Sequence, residues 1–309
     1  RSEGLDVDLT TITTHGDTST ASLAAMGGIG VFASAIRATL LKGEADIAVH
    51  SFKDLPTGRP LGLAIGAVPA RADPRDALVA RDGLTLHDLP QEASVGTGSP
   101  RRAAQLLAVR PDLTIVDIRG NVDTRLGRVK GLGHYAKGGG KEDLDAVVLA
   151  ASGLARLGHS GTVTEFLDPS VVLPAPAQGA LAVECRTADS RHGKLAKALA
   201  RLDDRRTRLA ATAERAVLSH LEAGCAAPIG ALAQLKPVSG SSPQVLTLDV
   251  VVATVDGSRI IREQVSVELP AEVDSALAAA HTLGVTAAEE LLDDGAADVA
   301  DLKASGSTR

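Results

Sequence analysis

The sequence predicts an α/β fold with mostly parallel strands, and three observations support this prediction. Short apolar runs rich in Val, Ile and Ala alternate with longer amphipathic segments up to about residue 200. Two proline-rich segments, 68–76, which is also rich in charge, and 172–179, bracket a stretch of about 100 residues, which indicates a domain inserted into another domain. Beyond them the pattern changes to a long helix, two strands and a second helix, so a separate α+β domain is expected.

Individual elements follow from periodicity and from turn residues. Apolar runs predict strands at 5–12, 46–50, 61–68, 76–80, 93–97, 114–118, 145–150 and 180–185. A helix over 31–42 is indicated by Phe32, Ile36 and Leu40 at every fourth position, with Gly43 as a stop signal. Further helices are predicted over 203–223 and 272–294, on either side of two strands joined by an Asp256-Gly257 turn. The glycine- and lysine-rich stretch 130–143 is expected to be a mobile surface loop.

Composition argues against several functional classes. The net charge is −6, with one Tyr, three Phe and no Trp, whereas nucleic-acid binding favours a basic surface with aromatic platforms. No run approaches the roughly 18 apolar residues of a membrane span, and no signal-peptide core is visible, so a cytoplasmic protein without membrane contact is expected. Cys185 and Cys225 are too few for a disulfide framework and lack metal-ligand spacing, so no metal site is predicted.

Polar residues follow the predicted strand 46–50. The stretch "HSFKDLP" places His50, Ser51, Lys53 and Asp54 where a buried strand ends, a common position for chemistry in α/β proteins. Asp54 could accept a proton or act as the counter-charge of a cationic intermediate, or it could merely cap the turn that follows. His50 could equally be a hydrogen-bonded histidine at a strand end. The motif alone leaves these alternatives open.

A basic cluster lies within this acidic chain. Between Thr97 and Arg128 there are six arginines and three aspartates. The motif "GTGSPRRAAQL" follows a strand and opens a helix, so the hydroxyls of Thr97 and Ser99 and the first free amides can contact an anion. Four arginines just beyond strand ends together predict a carboxylate or phosphate site: Arg101, Arg102, Arg119 and Arg125. Any one of them could instead be a surface residue paired with an acidic neighbour.

The two cysteines differ in their surroundings. Cys185 lies in the apolar run "ALAVECR" and is interpreted as a small core residue. Cys225 follows Gly224, the expected helix C-cap, and precedes Pro228, which predicts a tight loop. A helix C-terminus does not favour a thiolate, so Cys225 is a poor nucleophile for repeated use. It could be a covalent anchor formed once, or a plain loop thiol.

Six blocks together resemble the hydroxymethylbilane synthase family, also called the porphobilinogen deaminase family. In order they are "HSFKDLP", "GTGSPRRAAQL", "RGNVDTRL", "GLARLG", "PAPAQGALAVECR" and "TAERAVLSHLEAGCAAPIGA", and the resemblance extends from about residue 8 to about residue 295. It implies a transferase that links four porphobilinogen molecules head to tail into hydroxymethylbilane and releases ammonia each time, in haem and porphyrin biosynthesis. The primer would be a dipyrromethane cofactor held by a thioether.

The resemblance also implies residue roles. Asp54 would be the catalytic aspartate, and Cys225 would carry the cofactor. The other cofactor-binding residues would be Lys53, Ser51, Thr97, Ser99, Arg101, Arg102, Arg119 and Arg125. Arg156, Gln178 and His50 would bind the substrate, porphobilinogen. The sequence departs from the family in having Ile29 where a lysine is common, in lacking a Gly-Thr-Arg-x-Ser first strand and in its longer loop at 130–143.

The fold implied by the resemblance has three domains in a monomer. Two lobes would resemble type II periplasmic binding proteins, with residues 1–70 and 177–198 in domain 1 and 75–173 in domain 2; residues 202–309 would form domain 3, which carries the cofactor loop. A transport-type binding protein of two lobes is an alternative, but the third domain and the missing signal peptide argue against it. A phosphoribosyltransferase using "GTGSPRR" for phosphate is another, but it lacks an acidic ribose-binding motif.

Overall fold

The chain forms a mixed α/β structure with three sheets, seen in a computed structural model that describes residues 5–12, 31–58, 60–221, 227–236 and 244–300. The strands are Ile47–Ser51 (β1), Leu63–Ala67 (β2), Asp76–Ala80 (β3), Ser94–Gly96 (β4), Thr114–Val116 (β5), Ala146–Ala150 (β6), Glu165–Phe166 (β7), Leu181–Arg186 (β8), Ile229–Leu235 (β9), Val245–Ala253 (β10) and Ile260–Glu268 (β11). The α-helices are Val31–Lys42 (α1), Pro100–Val109 (α2), Val122–Leu126 (α3), Ala151–Arg156 (α4), Gly193–Leu202 (α5), Arg205–His220 (α6), Val273–Asp293 (α7) and Ala296–Val299 (α8). None of the helices described is both long and apolar enough to cross a bilayer.

The first sheet has the order β1-β8-β2, and β8 runs antiparallel to both neighbours. Its central strand arrives late in the chain, after the whole second sheet has been formed. Helix α1 spans the residues predicted for it and buries Leu40 against Ala48 and Leu63. The strands of the second sheet lie, along the chain, between β2 and β8 of the first sheet.

The second sheet has five strands in the order β5-β4-β6-β3-β7. Strands β5, β4 and β6 are parallel, whereas β3 is antiparallel to both β6 and β7. Successive residues of β3 and β6 face opposite sides of the sheet, so Leu78 and Val148 enter one core while Val79 and Val147 enter another. Burial on both faces explains why these strands are continuous apolar runs.

The third sheet is antiparallel with the order β11-β10-β9, and helices α6 and α7 cover it. Val217, Leu248 and Leu283 belong to its core. Both predicted helices and the predicted strand pair of this region are confirmed. The turn between β10 and β11 reaches the second sheet's helix α2, where Gly257 has a φ of +71° and a Cβ at that position would lie 2.3 Å from the carbonyl oxygen of Ala104.

The segments that connect the first and second sheets meet at one buried carboxylate. Glu214 of α6 is completely buried and accepts hydrogen bonds from both terminal nitrogens of Arg71, at 2.6 and 3.0 Å. It also accepts from the backbone N–H of Ala177, at 2.5 Å, and of Ala233 in β9, at 2.8 Å. Both connecting segments are thereby joined to the helix and the sheet of the C-terminal region.

Two predictions about strands are wrong. Residues 5–12 form no strand, and they pair with no other strand in the described part of the chain; the side chain of Leu9 is 95% exposed. An alternating pattern forms a strand only where a partner supplies hydrogen bonds. The sheets are also not mostly parallel, because β8 and β3 run against their neighbours. Buried apolar strands look alike in sequence whichever way they run.

The glycine- and lysine-rich loop at 130–143 lies on the surface and is held by internal hydrogen bonds. The Glu142 carboxylate accepts from the N–H groups of Gly131 and Gly133, at 2.8 and 3.1 Å. Arg128, at the base of the loop, forms an ion pair with Asp143.

Candidate active site

The Asp54 turn, residues 52–56, follows β1 and is fastened to helix α6. Phe52–Asp54 form a short 3-10 helix directly after the strand, and the Phe52 side chain is buried. The Arg215 guanidinium donates to the carbonyl oxygens of Phe52, Leu55 and Pro56 at 3.0, 2.8 and 2.7 Å. It also stacks over the Phe52 ring, with Cζ 4.5 Å from the ring centroid. A helix of the C-terminal region therefore fixes the backbone that carries Asp54.

Lys53 and Asp54 are adjacent ionisable residues, and burial perturbs the pKa of both. Burial by the surrounding protein raises the pKa of Asp54, and the charge of Lys53 partly offsets this. The Asp54 side chain nevertheless remains exposed to solvent. A carboxylate with protein close around it and an open path to solvent can reach a ligand and interact with it in a weakly screening environment.

Two of the predicted arginines converge on a buried aspartate. Asp76 opens β3 and is completely buried. Its Oδ2 accepts from Arg101 at 2.8 Å, and its Oδ1 accepts from Arg102 at 3.0 and 2.7 Å. Burial alone would raise the pKa of Asp76, but the two guanidiniums hold it well below its ordinary value. The remaining contacts of the arginines are with the carbonyl oxygens of Leu173, at 2.5 Å, and Val148, at 3.1 Å.

Gln178 connects this cluster to the Asp54 turn. Its Nε2 donates to Asp76 Oδ1 at 2.8 Å and to the carbonyl oxygen of Pro74 at 2.7 Å. Its Oε1 accepts from Lys53 Nζ at 3.3 Å, and its side chain is almost completely buried. The end of the first sheet and the start of β3 in the second are therefore joined through one amide.

The residues at the start of α2 build a local cap. Ser99 is the N-cap residue, and its hydroxyl accepts from the N–H of Arg102 at 3.5 Å. The Thr97 hydroxyl accepts from the N–H of Ser99 at 3.2 Å. Thr97 is buried directly beyond the end of β4, three residues before the helix begins.

Arg125 and Arg119 extend the basic region. Arg125 of α3 is pinned through Nε to the carbonyl oxygen of Gly120, at 2.9 Å. Burial lowers the pKa of Arg125, the charges of Arg102 and Arg119 lower it further, and Asp117 opposes them. Arg119 is exposed and lies 3.7 Å from Asp117. Guanidiniums that repel one another beside so little acidic charge are suited to an anion that carries several carboxylates.

The other predicted site residues lie in different surroundings. Ser51 is the last residue of β1, next to the Asp54 turn. Arg156 is exposed in the last turn of α4 and makes no hydrogen bond or ion pair to any described residue. His50 lies with Arg37 and Glu184 in a separate cluster, where its Nε2 is 3.4 Å from Glu184 Oε2 without hydrogen-bond alignment. Cys225 and Ile29 lie outside the described residues.

The sequence analysis missed three residues that organise the site: Asp76, Glu214 and Arg215. Asp76 stands at the head of the apolar run "DALVA", and an acidic residue entering a buried strand is a usable signal because such a residue needs a cationic partner. No comparable signal marks Glu214 or Arg215, whose partners, the Arg71 guanidinium and several backbone groups, are distant in the sequence.

These features are those of a site suited to a polycarboxylate. Gln178 joins Lys53 of the Asp54 turn to Asp76, the carboxylate that binds the guanidiniums of Arg101 and Arg102. Two family profiles match the chain: "Porphobilinogen deaminase, dipyromethane cofactor binding domain" over residues 1–194 and "Porphobilinogen deaminase, C-terminal domain" over residues 208–293. The chain belongs to the porphobilinogen deaminase family of dipyrromethane-containing transferases, which condense porphobilinogen into hydroxymethylbilane in tetrapyrrole biosynthesis.

Curated relatives agree with this assignment. A porphobilinogen deaminase of Cutibacterium acnes is 96% identical over 309 residues, covering 100% of this chain and 92% of the relative. Those of Leifsonia xyli subsp. xyli and Micrococcus luteus are 52% and 51% identical, covering 98% and 95% of this chain and 88% and 86% of the relatives. The family match decides against the transport-type binding protein and the phosphoribosyltransferase.

Proposed function

We propose that the Asp54 turn and the arginines around Asp76 form the active site at which this chain performs the family reaction. The observation that carries the proposal is the Lys53–Gln178–Asp76 contact, which joins the turn to the buried guanidiniums. Porphobilinogen carries an acetate and a propionate, so each added ring brings two carboxylates. A basic region beside one exposed aspartate suits such a substrate.

Asp54 is the catalytic residue in this proposal. Positive charge develops on the substrate as ammonia leaves, and a nearby carboxylate stabilises that charge. A charge held in place by the protein stabilises the transition state more when water screens it weakly. Such an interaction lowers the activation barrier by about 3–4 kcal/mol. The raised pKa of Asp54 indicates a partly desolvated carboxylate. Arg215 binds the backbone of the Asp54 turn, which supports a carboxylate that is held in a fixed position.

The basic residues hold carboxylates in this proposal. Arg119, Arg125 and Arg156 are supported as direct ligands because each is at least partly accessible and few acidic groups neutralise them. Arg101 and Arg102 already bond Asp76 and carbonyl oxygens, which supports a role in setting the charge of the cofactor-binding wall. Ser51, Thr97 and Ser99 add neutral hydroxyls that can donate to a cofactor carboxylate. Lys53 and Gln178 complete the wall nearest to Asp54.

The dipyrromethane cofactor fits this surplus of guanidiniums because its acetate and propionate side chains are anionic. When bound, it supplies the primer to which porphobilinogen is added. We infer that Cys225 anchors it through a thioether. Helix α6 ends at His220, five positions before Cys225, and the same helix contacts the Asp54 turn through Arg215. This contact supports a cofactor loop that opens near the turn.

The domain arrangement follows the same proposal. Residues 1–70 with 177–198 and residues 75–173 form two lobes of the type II periplasmic-binding-protein kind, and 202–309 form the third domain. The separate sheets of these regions support this division. We further propose that the chain acts as a monomer in the cytoplasm; light scattering of the purified protein that gives twice the mass of one chain would contradict the monomer.

Intact-mass spectrometry tests the proposal. The purified protein is expected to carry a dipyrromethane adduct, and Cys225→Ser is expected to lack it. Cys185→Ser is the matched control, because Cys185 is a buried thiol of β8 and should leave the adduct in place. An active protein with two unmodified thiols, or an adduct that persists in Cys225→Ser, would contradict the anchor.

A further inference from the structure

Asp76 lies at the centre of a small charged network that spans two sheets. Its two oxygens accept from Arg101, Arg102 and Gln178, and no part of it reaches solvent. A carboxylate buried in this way cannot contact substrate. Its effect on the reaction must therefore pass through its neighbours.

Lys53 is the neighbour nearest to the chemistry. Its ammonium group donates to Gln178 Oε1 at 3.3 Å, and it directly precedes Asp54 in the chain. Burial lowers the pKa of Lys53 from its ordinary value. The charged groups that act on it from the packed elements are Arg102 and Arg101 on α2, which lower its pKa, and Asp54 on the turn and Asp76 on β3, which raise it.

We propose that Asp76 is a positioning residue that acts through Gln178 to keep Lys53 protonated and directed along the wall beside Asp54. This deepens, and rests on, the proposed function of the Asp54 turn. Gln178 is suited to the task because its amide is polarised from both ends: Nε2 faces a carboxylate and Oε1 faces an ammonium. It follows that Gln178 is a relay between protein groups, since both ends of its side chain are occupied.

The charges around Lys53 show how loss of Asp76 would change its protonation. Without Asp76, Lys53 would face two buried guanidiniums opposed by Asp54 alone. Like charges in a weakly screening environment favour loss of the most easily removed proton, and lysine loses its proton far more readily than arginine. A neutral Lys53 could no longer bind a substrate carboxylate or balance the charge of Asp54.

The test measures the protonation of Lys53 without using turnover. Acylation by an amine-selective reagent is followed at Lys53 as a function of pH by peptide mass spectrometry, because only the neutral amine reacts. In Asp76→Asn the pH midpoint should fall by about 0.5–1 unit. Gln178→Leu removes the relay but no buried charge, and its midpoint should also fall. Asp73→Asn is the matched control, since the Asp73 carboxylate pairs with Arg75 and makes no hydrogen bond to Lys53, Gln178 or Asp76 in the described part of the chain.

A double variant adds a second criterion. If Gln178 transmits the effect of Asp76, Asp76→Asn with Gln178→Leu should shift the midpoint by less than the two single shifts together. A purely structural role for Asp76 would lower the unfolding temperature and leave the midpoint unchanged, which would overturn the proposal. Should Asp76→Asn fail to fold, an unchanged midpoint in Gln178→Leu would overturn it alone.

Failure of the Asp76–Gln178 relay and failure of the proposed role of Asp54 give different experimental results. Normal turnover in Asp54→Asn would remove Asp54 from the mechanism and leave the Lys53 midpoints as they are. Unchanged Lys53 midpoints would overturn the relay and leave the role of Asp54 standing.

Discussion

Asp54 combines a cost in stability with the catalytic role proposed for it. Because its folded-state pKa is raised, the folded protein binds the proton of Asp54 more tightly than the unfolded chain does. The corresponding stability is present below the ordinary pKa of an aspartate and is lost as the pH rises through the raised value. At neutral pH the charged Asp54 therefore disfavours folding.

We predict that Asp54→Asn does not destabilise the protein at pH 7. The free energy of unfolding should be equal to that of the unchanged chain or higher by no more than about 1 kcal/mol, because exposure lets water screen the charge. Urea unfolding at pH 7 and at pH 3.5 measures this, and the difference should shrink at the lower pH. A clear loss of stability at pH 7 would mean that Asp54 holds the turn together.

Arg125 should affect binding without affecting stability. Its charge is opposed by Arg102 and Arg119, so Arg125→Met should leave the unfolding temperature nearly unchanged. A lost charge-assisted hydrogen bond to a carboxylate costs about 1.5–3 kcal/mol, so the KM for porphobilinogen should rise roughly 10- to 100-fold, or cofactor loading should fall.

Arg128→Met is the control for this prediction, because Arg128 is paired with Asp143 at the base of the neighbouring loop. The KM for porphobilinogen and the cofactor loading, read from intact mass, are measured for both variants. Equal KM values and equal loading would remove Arg125 from the ligand set.

At the scale of elements, the local sequence pattern predicts where a helix or strand lies but not in which direction a strand runs within its sheet. The helix 31–42 and the strand 76–80 were predicted within a residue because periodicity and stop signals are local properties. The antiparallel direction of β8 depends on its entry from the second sheet, which no local pattern records. The alternation at 5–12 is as strong as that of true strands, yet a strand also needs a partner.

The β10–β11 turn should be sensitive to one added methyl group. Gly257→Ala introduces a Cβ 2.3 Å from the carbonyl oxygen of Ala104 in α2 and also strains a φ of +71°. Gly83→Ala is the matched control, because Gly83 has a φ of +73° and no atom within 4 Å of the added Cβ. The control should lose about 1–2 kcal/mol from backbone strain.

Gly257→Ala should lose more than the control does, because α2 must move to relieve the contact. Urea unfolding of the two variants gives the comparison. Equal losses would show that the docking of this turn on the arginine-bearing helix adds nothing to stability.

At the scale of the whole molecule, Glu214 is the point where three regions are joined. We predict that Glu214→Gln lowers the free energy of unfolding by about 3–5 kcal/mol, because the mostly buried guanidinium of Arg71 would lose the only carboxylate that it contacts among the described residues. Glu268→Gln, at an exposed position of β11, is the control and should change little. Similarly small losses of stability in Glu214→Gln and Glu268→Gln would show that the buried contacts of Glu214 contribute no more than a surface charge does.

The site as a whole could be predicted only in part. The motif "HSFKDLP" and the arginines beyond strand ends drew attention to Asp54 and Arg125 from local sequence. The contact of Lys53 with Gln178 joins residues 125 positions apart, and that of Arg215 with Phe52 joins residues 163 apart. Such contacts arise from the return of the chain between sheets, which a single sequence does not display.

The central claim is that Asp54 stabilises the charge formed as ammonia leaves. The most direct test is the rate of ammonia release per molecule of Asp54→Asn, compared with Asp73→Asn and with the unchanged chain at equal cofactor loading. We predict a loss of roughly 10²- to 10³-fold in Asp54→Asn and near-normal release in Asp73→Asn. Release by Asp54→Asn within a few fold of the unchanged chain would contradict the account.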